Sequence, residues 1–296
     1  MRCGTIPAEQ IPGGIDLGAT LESGQSYLWR RRQGEMYASD SPPDGVWYET
    51  VIDGAYLRVR QRNGGLEWAS TADSEDRLRV LLRLDDDLHR IKADSPGHPL
   101  VERAWQAYWG MRLVQDPVFP CLISFICSTQ MRVPRIQAMQ RRLAATFGEP
   151  VEIDGECHHG FPDPETLATV PESRLRELSL GYRAPYVKAT AEQVADRLDP
   201  AAAADLPYEA AREYLTQFTG VGPKVADCVL LFSLGFTQAV PLDTWIKRAI
   251  AAEYPDCDRG DYGATSAAIR ERFGSRYAGY VQTYAFHYLR HHRPDI

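Results

Sequence analysis

Lys224 stands directly behind two glycines and a proline in TGVGPKVADC (residues 219–228), at what reads as the entrance of an apolar helix with Val225, Val229, Leu230 and Phe232 on its buried side. An amine is a nucleophile only when unprotonated, and an ordinary lysine titrates near roughly 10.4. Lowering that by about 2 to 3 units takes roughly 3 to 4 kcal/mol, whereas a helix N-terminus supplies about 0.3 to 1 and at most about 2. A reactive Lys224 therefore has to be partly buried beneath neighbouring apolar side chains, so that desolvation contributes the larger share.

Gly220 and Gly222 allow positive φ and close backbone approach. The free N–H groups at the start of the next helix form an anion site that a phosphate could occupy without any side chain. The same stretch also fits a plain helix–helix turn with a solvated lysine, and it lacks the spacing and the Ser/Thr of a GxxxxGK[ST] nucleotide loop. Cys228 lies one turn further along the lysine's face. Asp243 follows 19 residues after the lysine in AVPLDTW (239–245), behind Pro241 at another helix entry. It fits an N-cap, which does not exclude a catalytic role. His287, His291 and His292, and the run Cys157-His158-His159, are metal-binding residue types, but neither group has a third helical ligand or a CxxC beside it. Asp85-Asp86-Asp87 reads as a solvated turn or helix face.

These residues need a scaffold, and the chain divides into two kinds of pattern. Up to about Ser70 it reads as short antiparallel strands, with VWYETVI (46–52) and AYLRVRQ (55–61) alternating and the turn pairs Asp53-Gly54 and Asn63-Gly64 between runs. Ser74 can cap a helix whose stripe is Leu78, Leu81, Leu82, Leu88 and Ile91, and DSPGHP (94–99) supplies the main boundary, giving regions 1–95 and 96–296. Beyond it the pattern is helical almost to the end, with helices over about 100–113, 117–130, 134–147, 171–178, 184–198, 208–218, 224–234, 244–254, 262–273 and 277–290.

With 296 residues, 44% of them hydrophobic and 25% charged, the chain lies in the ordinary globular range. No basic start precedes an apolar run, and the longest apolar windows are about half a membrane span, so a cytoplasmic protein without membrane contact is expected. The six cysteines are scattered, which argues against a zinc site or a four-cysteine iron-sulfur cluster. The net charge of -7 opposes a general nucleic-acid coat. Distribution matters more: residues 117–148 contain Arg132, Arg135, Arg141 and Arg142 and no acid, and residues 272–294 contain Arg272, Arg276, Arg290 and Arg293 and no acid. Two basic faces are therefore expected on an acidic protein.

The lysine hairpin followed by a VP.D segment resembles the helix-hairpin-helix DNA glycosylases, and in detail their 8-oxoguanine DNA glycosylase branch. Seven segments carry the similarity in order: SGQSYLWR (23–30), QDPVFPCLISFICSTQ (115–130), HGFPD (159–163), LGYRAPYV (180–187), GVGPKVADC (220–228), AVPLDTW (239–245) and YAGYVQTYAF (277–286). The resemblance implies an α+β fold, with an N-terminal antiparallel β-sheet domain packed on a mostly α-helical region containing a helix-hairpin-helix. It implies a bifunctional N-glycosylase and lyase that flips 8-oxoguanine out of double-stranded DNA. Lys224 would attack the anomeric carbon and form a Schiff base that permits β-elimination, while Asp243 would stabilise the cationic sugar.

Base recognition would fall to Phe286 stacking on the purine, Gln282 at its Watson-Crick edge, Cys228 on the opposite side, and the Gly24 carbonyl accepting the N7-H that distinguishes the lesion. Tyr182 and Arg183 correspond to the residues that wedge into the gap and hold the orphaned cytosine. The amides of Gly220 and Gly222 would hold a phosphate, with a cation on the Phe218 and Val221 carbonyls; no other cofactor is required. Gln130, Arg135 and Trp245 belong to the DNA side. Two of these positions depart from the pattern: Gln130-Met131-Arg132 replaces the asparagine run of eukaryotic members, and Trp245 stands where many members have a histidine near the DNA backbone. A monomer acting at chromosomal DNA is expected. The alternatives are a relative acting on other oxidised or alkylated bases, against which Gln282, Phe286 and Gly24 speak, and a catalytically silent lesion-binding protein, against which Lys224 and Asp243 speak.

Overall fold

Both turn pairs of the N-terminal part adopt the geometry their residues favour. Asp53 and Gly54 have φ of 48° and 72°, and Asn63 and Gly64 have 51° and 76°, the doubly positive φ of tight hairpin turns whose twist matches the flanking strands. In the computed structural model, which describes residues 1–37 and 45–292, they join three strands of one antiparallel sheet. The strands are β1 (Arg2–Ile6), β2 (Arg30–Arg31), β3 (Tyr48–Ile52), β4 (Ala55–Arg62) and β5 (Gly65–Ser70), in the order β1-β5-β4-β3-β2. The register pairs Tyr48 with Val59 and Val59 with Trp68, and Ile6, Leu57, Val59, Leu66 and Trp68 are buried.

The remainder is largely helical: α2 (Glu75–Leu81), α3 (Leu88–Ala93), α4 (Pro99–Ala107), α5 (Val118–Cys127), α6 (Val133–Phe147), α7 (Pro164–Thr169), α8 (Glu172–Leu175), α9 (Ala184–Ala195), α10 (Tyr208–Leu215), α11 (Pro223–Phe232), α12 (Thr244–Glu253), α13 (Tyr262–Arg272) and α14 (Ala278–His292). Several expected helices are shorter. Others were not foreseen. A helix, α1 (Leu17–Glu22), interrupts the strand region, capped by the Asp16 carboxylate on the N–H of Ala19. A small hairpin, β6 (Pro150–Ile153) and β7 (Glu156–His159), interrupts the helical region. The expected helix after Ser74 is two helices, because Arg83 takes φ 47° and Asp87 caps a new start by accepting from His89 and Arg90. Ser74 precedes α2 but bonds Ser70 and Ala72 rather than the helix. Nor is the Asp85-Asp86-Asp87 run merely solvated: Asp86 holds Arg83 at 2.7 Å and accepts the Tyr280 hydroxyl at 2.5 Å.

The sheet and the helices share one core. Arg112 is wholly buried and donates to the carbonyls of Pro12, Gly14, Arg83 and Asp86, so the four main-chain acceptors compensate its desolvation. Trp105 on α4 stacks on Tyr284 of α14 at 3.8 Å between ring centroids, worth about 0.5 to 1.5 kcal/mol beyond area burial. Phe125 of α5 stacks on Phe232 of α11 at 5.5 Å. Gly279 lets α14 come close to the core: a Cβ there would lie 2.3 Å from Leu231 and 2.7 Å from the Ala239 carbonyl. These packings bring the Gly24 loop and α5, α11, α12 and α14 to one place.

Candidate active site

The hairpin is α10, a turn, and α11. Gly220 has φ 84°, and a Cβ on it would lie 2.7 Å from Cβ of Tyr186, so both conformation and space require glycine. Gly222 differs from expectation: it is extended (φ -95°, ψ 178°) at the N-cap of α11, with open space where a Cβ would be. Its contribution is an unobstructed outer face beside the free N–H groups of the first turn. The Phe218 carbonyl accepts from the Val221 N–H at 3.1 Å and keeps a second lone pair that suits a hard cation.

Lys224 is half-buried, as a reactive amine at this position requires. Its Nζ donates to Ser128 Oγ at 3.0 Å and lies 5.2 Å from the centroid of the Phe125 ring. One turn on, Cys228 is buried; burial pushes its thiol up to about 12, with the neighbouring lysine opposing the rise. Asp243 caps α12, its Oδ1 accepting from the Ile246 N–H at 2.8 Å. Burial raises the Asp243 carboxyl above its ordinary range, opposed by the Lys224 ammonium and by the N–H groups of Ile246 and Trp245. The cap thus also lies within electrostatic range of the lysine.

Of the predicted base-reading residues, Gly24 and Phe286 both lie against Arg290 of α14. Gly24 takes φ 93°, walled by Val133, Arg290 and Tyr27 within 3.7 Å of a built Cβ. Phe286 is half-buried and lies 5.9 Å from the Arg290 guanidinium, while Gln282 is buried one turn earlier on α14, with its Oε1 accepting from Thr283 at 3.3 Å.

Tyr182 and Arg183, predicted on the DNA side, meet the chain just after α5. The Tyr182 hydroxyl donates to the Thr129 carbonyl at 3.3 Å, and its ring, half exposed, lies 4.2 Å from the Arg183 guanidinium. Arg183 is buried rather than solvated, its Nη2 donating to the same Thr129 carbonyl and its Nε unpartnered among the described residues. Thr129 follows Ser128, so this cluster and the lysine share one chain segment. Gln130 is exposed at φ 53°, Arg132 and Arg135 are exposed at the start of α6, and Trp245 is half-buried in the first turn of α12. Of the predicted basic faces, Arg293 lies outside the described residues. Among the described residues no cluster of three or more metal-ligating side chains occurs, and no helix is long and apolar enough to cross a membrane.

Three neighbours escaped sequence reasoning. Ser128 is the lysine's hydrogen-bond partner; it lies within FICSTQ but has no spacing signal pointing to residue 224. Tyr27, buried beside the Gly24 loop, is within electrostatic range of Cys228, Arg290 and Asp243. Asp227, on α11 beside Cys228, is wholly buried and accepts from the hydroxyls of Tyr208 and Tyr262 at 2.7 Å each. A charged residue on a helix's buried face was its only sequence trace.

Residues 123–273 match the family described as HhH-GPD superfamily base excision DNA repair protein, and residues 8–122 match the 8-oxoguanine DNA glycosylase N-terminal domain. A probable N-glycosylase/DNA lyase of Methanothermobacter thermautotrophicus is 35% identical over 95% of this chain and 96% of its own length. The N-glycosylase/DNA lyase of Saccharomyces cerevisiae is 33% identical over 80% of this chain and 68% of its own. Among solved structures, the Clostridium acetobutylicum 8-oxoguanine glycosylase/lyase, in complex with double-stranded DNA containing cytosine opposite 8-oxoguanine, superposes with a TM-score of 0.82 at 27% identity, covering 93% of this chain and 92% of that one. The chain belongs to the HhH-GPD superfamily of base excision DNA repair proteins.

Proposed function

We propose that this protein is a bifunctional DNA glycosylase and lyase that removes 8-oxoguanine from double-stranded DNA. The observation that carries the reading is the Lys224–Asp243 pair: a half-buried amine at the mouth of α11, fixed on Ser128, beside a carboxylate held at the start of α12. The Lys224 amine attacks the anomeric carbon of a flipped nucleotide, the glycosidic bond breaks, and the base leaves. The C1′–O4′ bond of the sugar ring then opens, O4′ taking up the proton that Nζ gives up, and the carbon forms a Schiff base with Nζ, which acidifies the adjacent sugar position and permits β-elimination of the 3′ phosphate. The Asp243 carboxylate stabilises the cationic sugar as the bond breaks.

Gly24, Cys228, Gln282 and Phe286 line the base side. Tyr182, Arg183, Gln130, Arg135 and Trp245 meet the duplex, and Gly220 and Gly222 hold a phosphate, with the Phe218 and Val221 carbonyls able to take a cation. The names of the relatives and the DNA in the Clostridium structure support the substrate class. The protein acts as a monomer inside the cell, where its DNA substrate is. Incubation with an 8-oxoguanine:cytosine duplex and borohydride traps a covalent complex that is absent in Lys224→Gln. Excision by the wild type with no trapped adduct would overturn the Schiff-base route.

A further inference from the structure

We infer that Arg290 is the positioning residue of the base pocket: its guanidinium locks the Gly24 loop to the helix that carries Gln282 and Phe286. The inference rests on the reading of those three residues given under Proposed function. Gln282, Phe286 and Arg290 are spaced four apart on α14 and therefore form one stripe.

The last carbonyls of a helix have no partner within it. At the end of α1, Thr20 O is met by the Ser23 hydroxyl and by Gln25. Glu22 O and Ser23 O are met by Arg290 alone among the described contacts, Nη2 to Glu22 and Nη1 to Ser23, at 3.0 Å each. A cation at a helix C-terminus is electrostatically favoured, and the two adjacent carbonyls match the fixed fork of a guanidinium. The next residue is Gly24, whose φ of 93° turns the chain, and a Cβ built there would lie 3.4 Å from Arg290 Nη1. The acceptor that tests the base is therefore set by Arg290 from one side.

From the other side α1 is held to the sheet through a side chain. The Glu22 carboxylate accepts from Arg31 at 2.9 Å, from the Tyr48 hydroxyl at 2.7 Å and from the Tyr37 N–H at 2.7 Å. The α1 terminus is thus anchored on the sheet, and among the described residues only Arg290 ties its main chain to α14. The clamp fixes the separation between an acceptor on a loop and two readers on a helix, neither of which is near it in sequence.

Arg290→Met and Arg290→Lys test this. Trapping on an abasic-site duplex, which presents no base to read, counts folded active sites. Per trapped site, Arg290→Met is expected to lose about tenfold or more in kcat/KM for 8-oxoguanine, the scale of one charge-assisted hydrogen bond. Its preference for 8-oxoguanine over guanine falls with it, while Arg290→Lys, meeting one carbonyl at a time, lies between Met and wild type. Wild-type excision and discrimination in Arg290→Met overturn the inference and leave the proposed function standing. Loss of abasic trapping in both variants also overturns it, since the arginine then serves the fold as a whole. A wild type that traps abasic sites but ignores 8-oxoguanine overturns both readings.

Discussion

Tyr262 donates its hydroxyl to Asp227 at 2.7 Å and accepts the N–H of Leu242 at 3.2 Å, so one phenol joins the helix of Lys224 to the residue preceding Asp243. Asp227 is three residues after Lys224, and its other oxygen accepts from Tyr208 on α10. One buried carboxylate therefore ties α10, α11 and α13 to the strand of chain entering α12. Replacing Tyr262 with Phe removes the hydrogen-bond partner of the Leu242 N–H and leaves Asp227 Oδ2 with only the longer 3.9 Å contact to Arg212 among the described residues, a cost of about 1 to 3 kcal/mol. Thermal unfolding should show that loss. Excision of 8-oxoguanine and cleavage of abasic DNA should slow together, because Asp243 rather than the base pocket is loosened. A lowered melting temperature with both rates intact would confine the network to stability.

The two hairpin glycines should separate folding from binding. Gly220→Ala combines a left-handed backbone, costing about 1 to 2 kcal/mol, with a contact 2.7 Å from Tyr186, and should lower both stability and duplex affinity. Gly222→Ala occupies an extended position with open space and should change stability by less than about 0.5 kcal/mol. Its methyl group projects onto the face where a phosphate would approach, so its duplex affinity should fall. Calorimetry and fluorescence anisotropy read the two effects. Wild-type affinity in Gly222→Ala would remove the hairpin from the DNA contact.

Asp116 gives a pH signature remote from the chemistry. Burial raises its carboxyl from 3.8 to about 7, only partly offset by a hydrogen bond with Ser26, and its Oδ1 has no partner among the described residues. The folded state thus holds a proton that the unfolded chain releases. This contribution to stability is fully present below the unfolded value of 3.8 and is lost as pH rises through about 7. The interval from 3.8 to about 7, at about 1.4 kcal/mol per pH unit, gives at most about 4 kcal/mol. Asp116→Asn never ionises there, so its stability relative to wild type should improve between about pH 4 and pH 7 and level off above that in urea titrations. A difference that stays flat with pH would show that Asp116 does not titrate in the folded protein.

What could be read from the sequence was local and periodic. The paired positive φ at Asp53-Gly54 and Asn63-Gly64 follows from residue chemistry, and the lysine hairpin follows from its glycines and proline. The α1 helix was hidden because its six residues, all buried, show neither alternation nor a stripe. The β6–β7 hairpin, four residues a side and mostly not buried, has no apolar face to betray it. The candidate members of the site came from pattern only in part, Asp243 as a helix cap, while Phe286 was named through the family resemblance; the contacts were not readable at all, since Ser128 on Lys224 and Arg290 on Ser23 span 96 and 267 residues. No pattern of neighbouring residues encodes such pairs, which the packing of α5, α11 and α14 decides.

Asp243 joins both kinds of information, since it caps α12 and faces Lys224. Its carboxyl is raised by burial, with the lysine opposing, so ionised Asp243 weighs against the folded state as pH rises through its folded pKa and helps only the reaction. Asparagine is as good an N-cap as aspartate and carries no charge to desolvate. Asp243→Asn should therefore be at least as stable as wild type at pH 7, while excision falls by about 10²- to 10³-fold, the scale of losing one electrostatic stabiliser of a transition state. In the wild type the excision rate should rise with pH through a limb lying above the ordinary carboxylate range, as Asp243 ionises, and that limb should vanish in the variant. Single-turnover rates from pH 4 to 8 measure it. If Asp243→Asn loses stability in proportion to rate, the cap is the residue's main role and the charge is incidental.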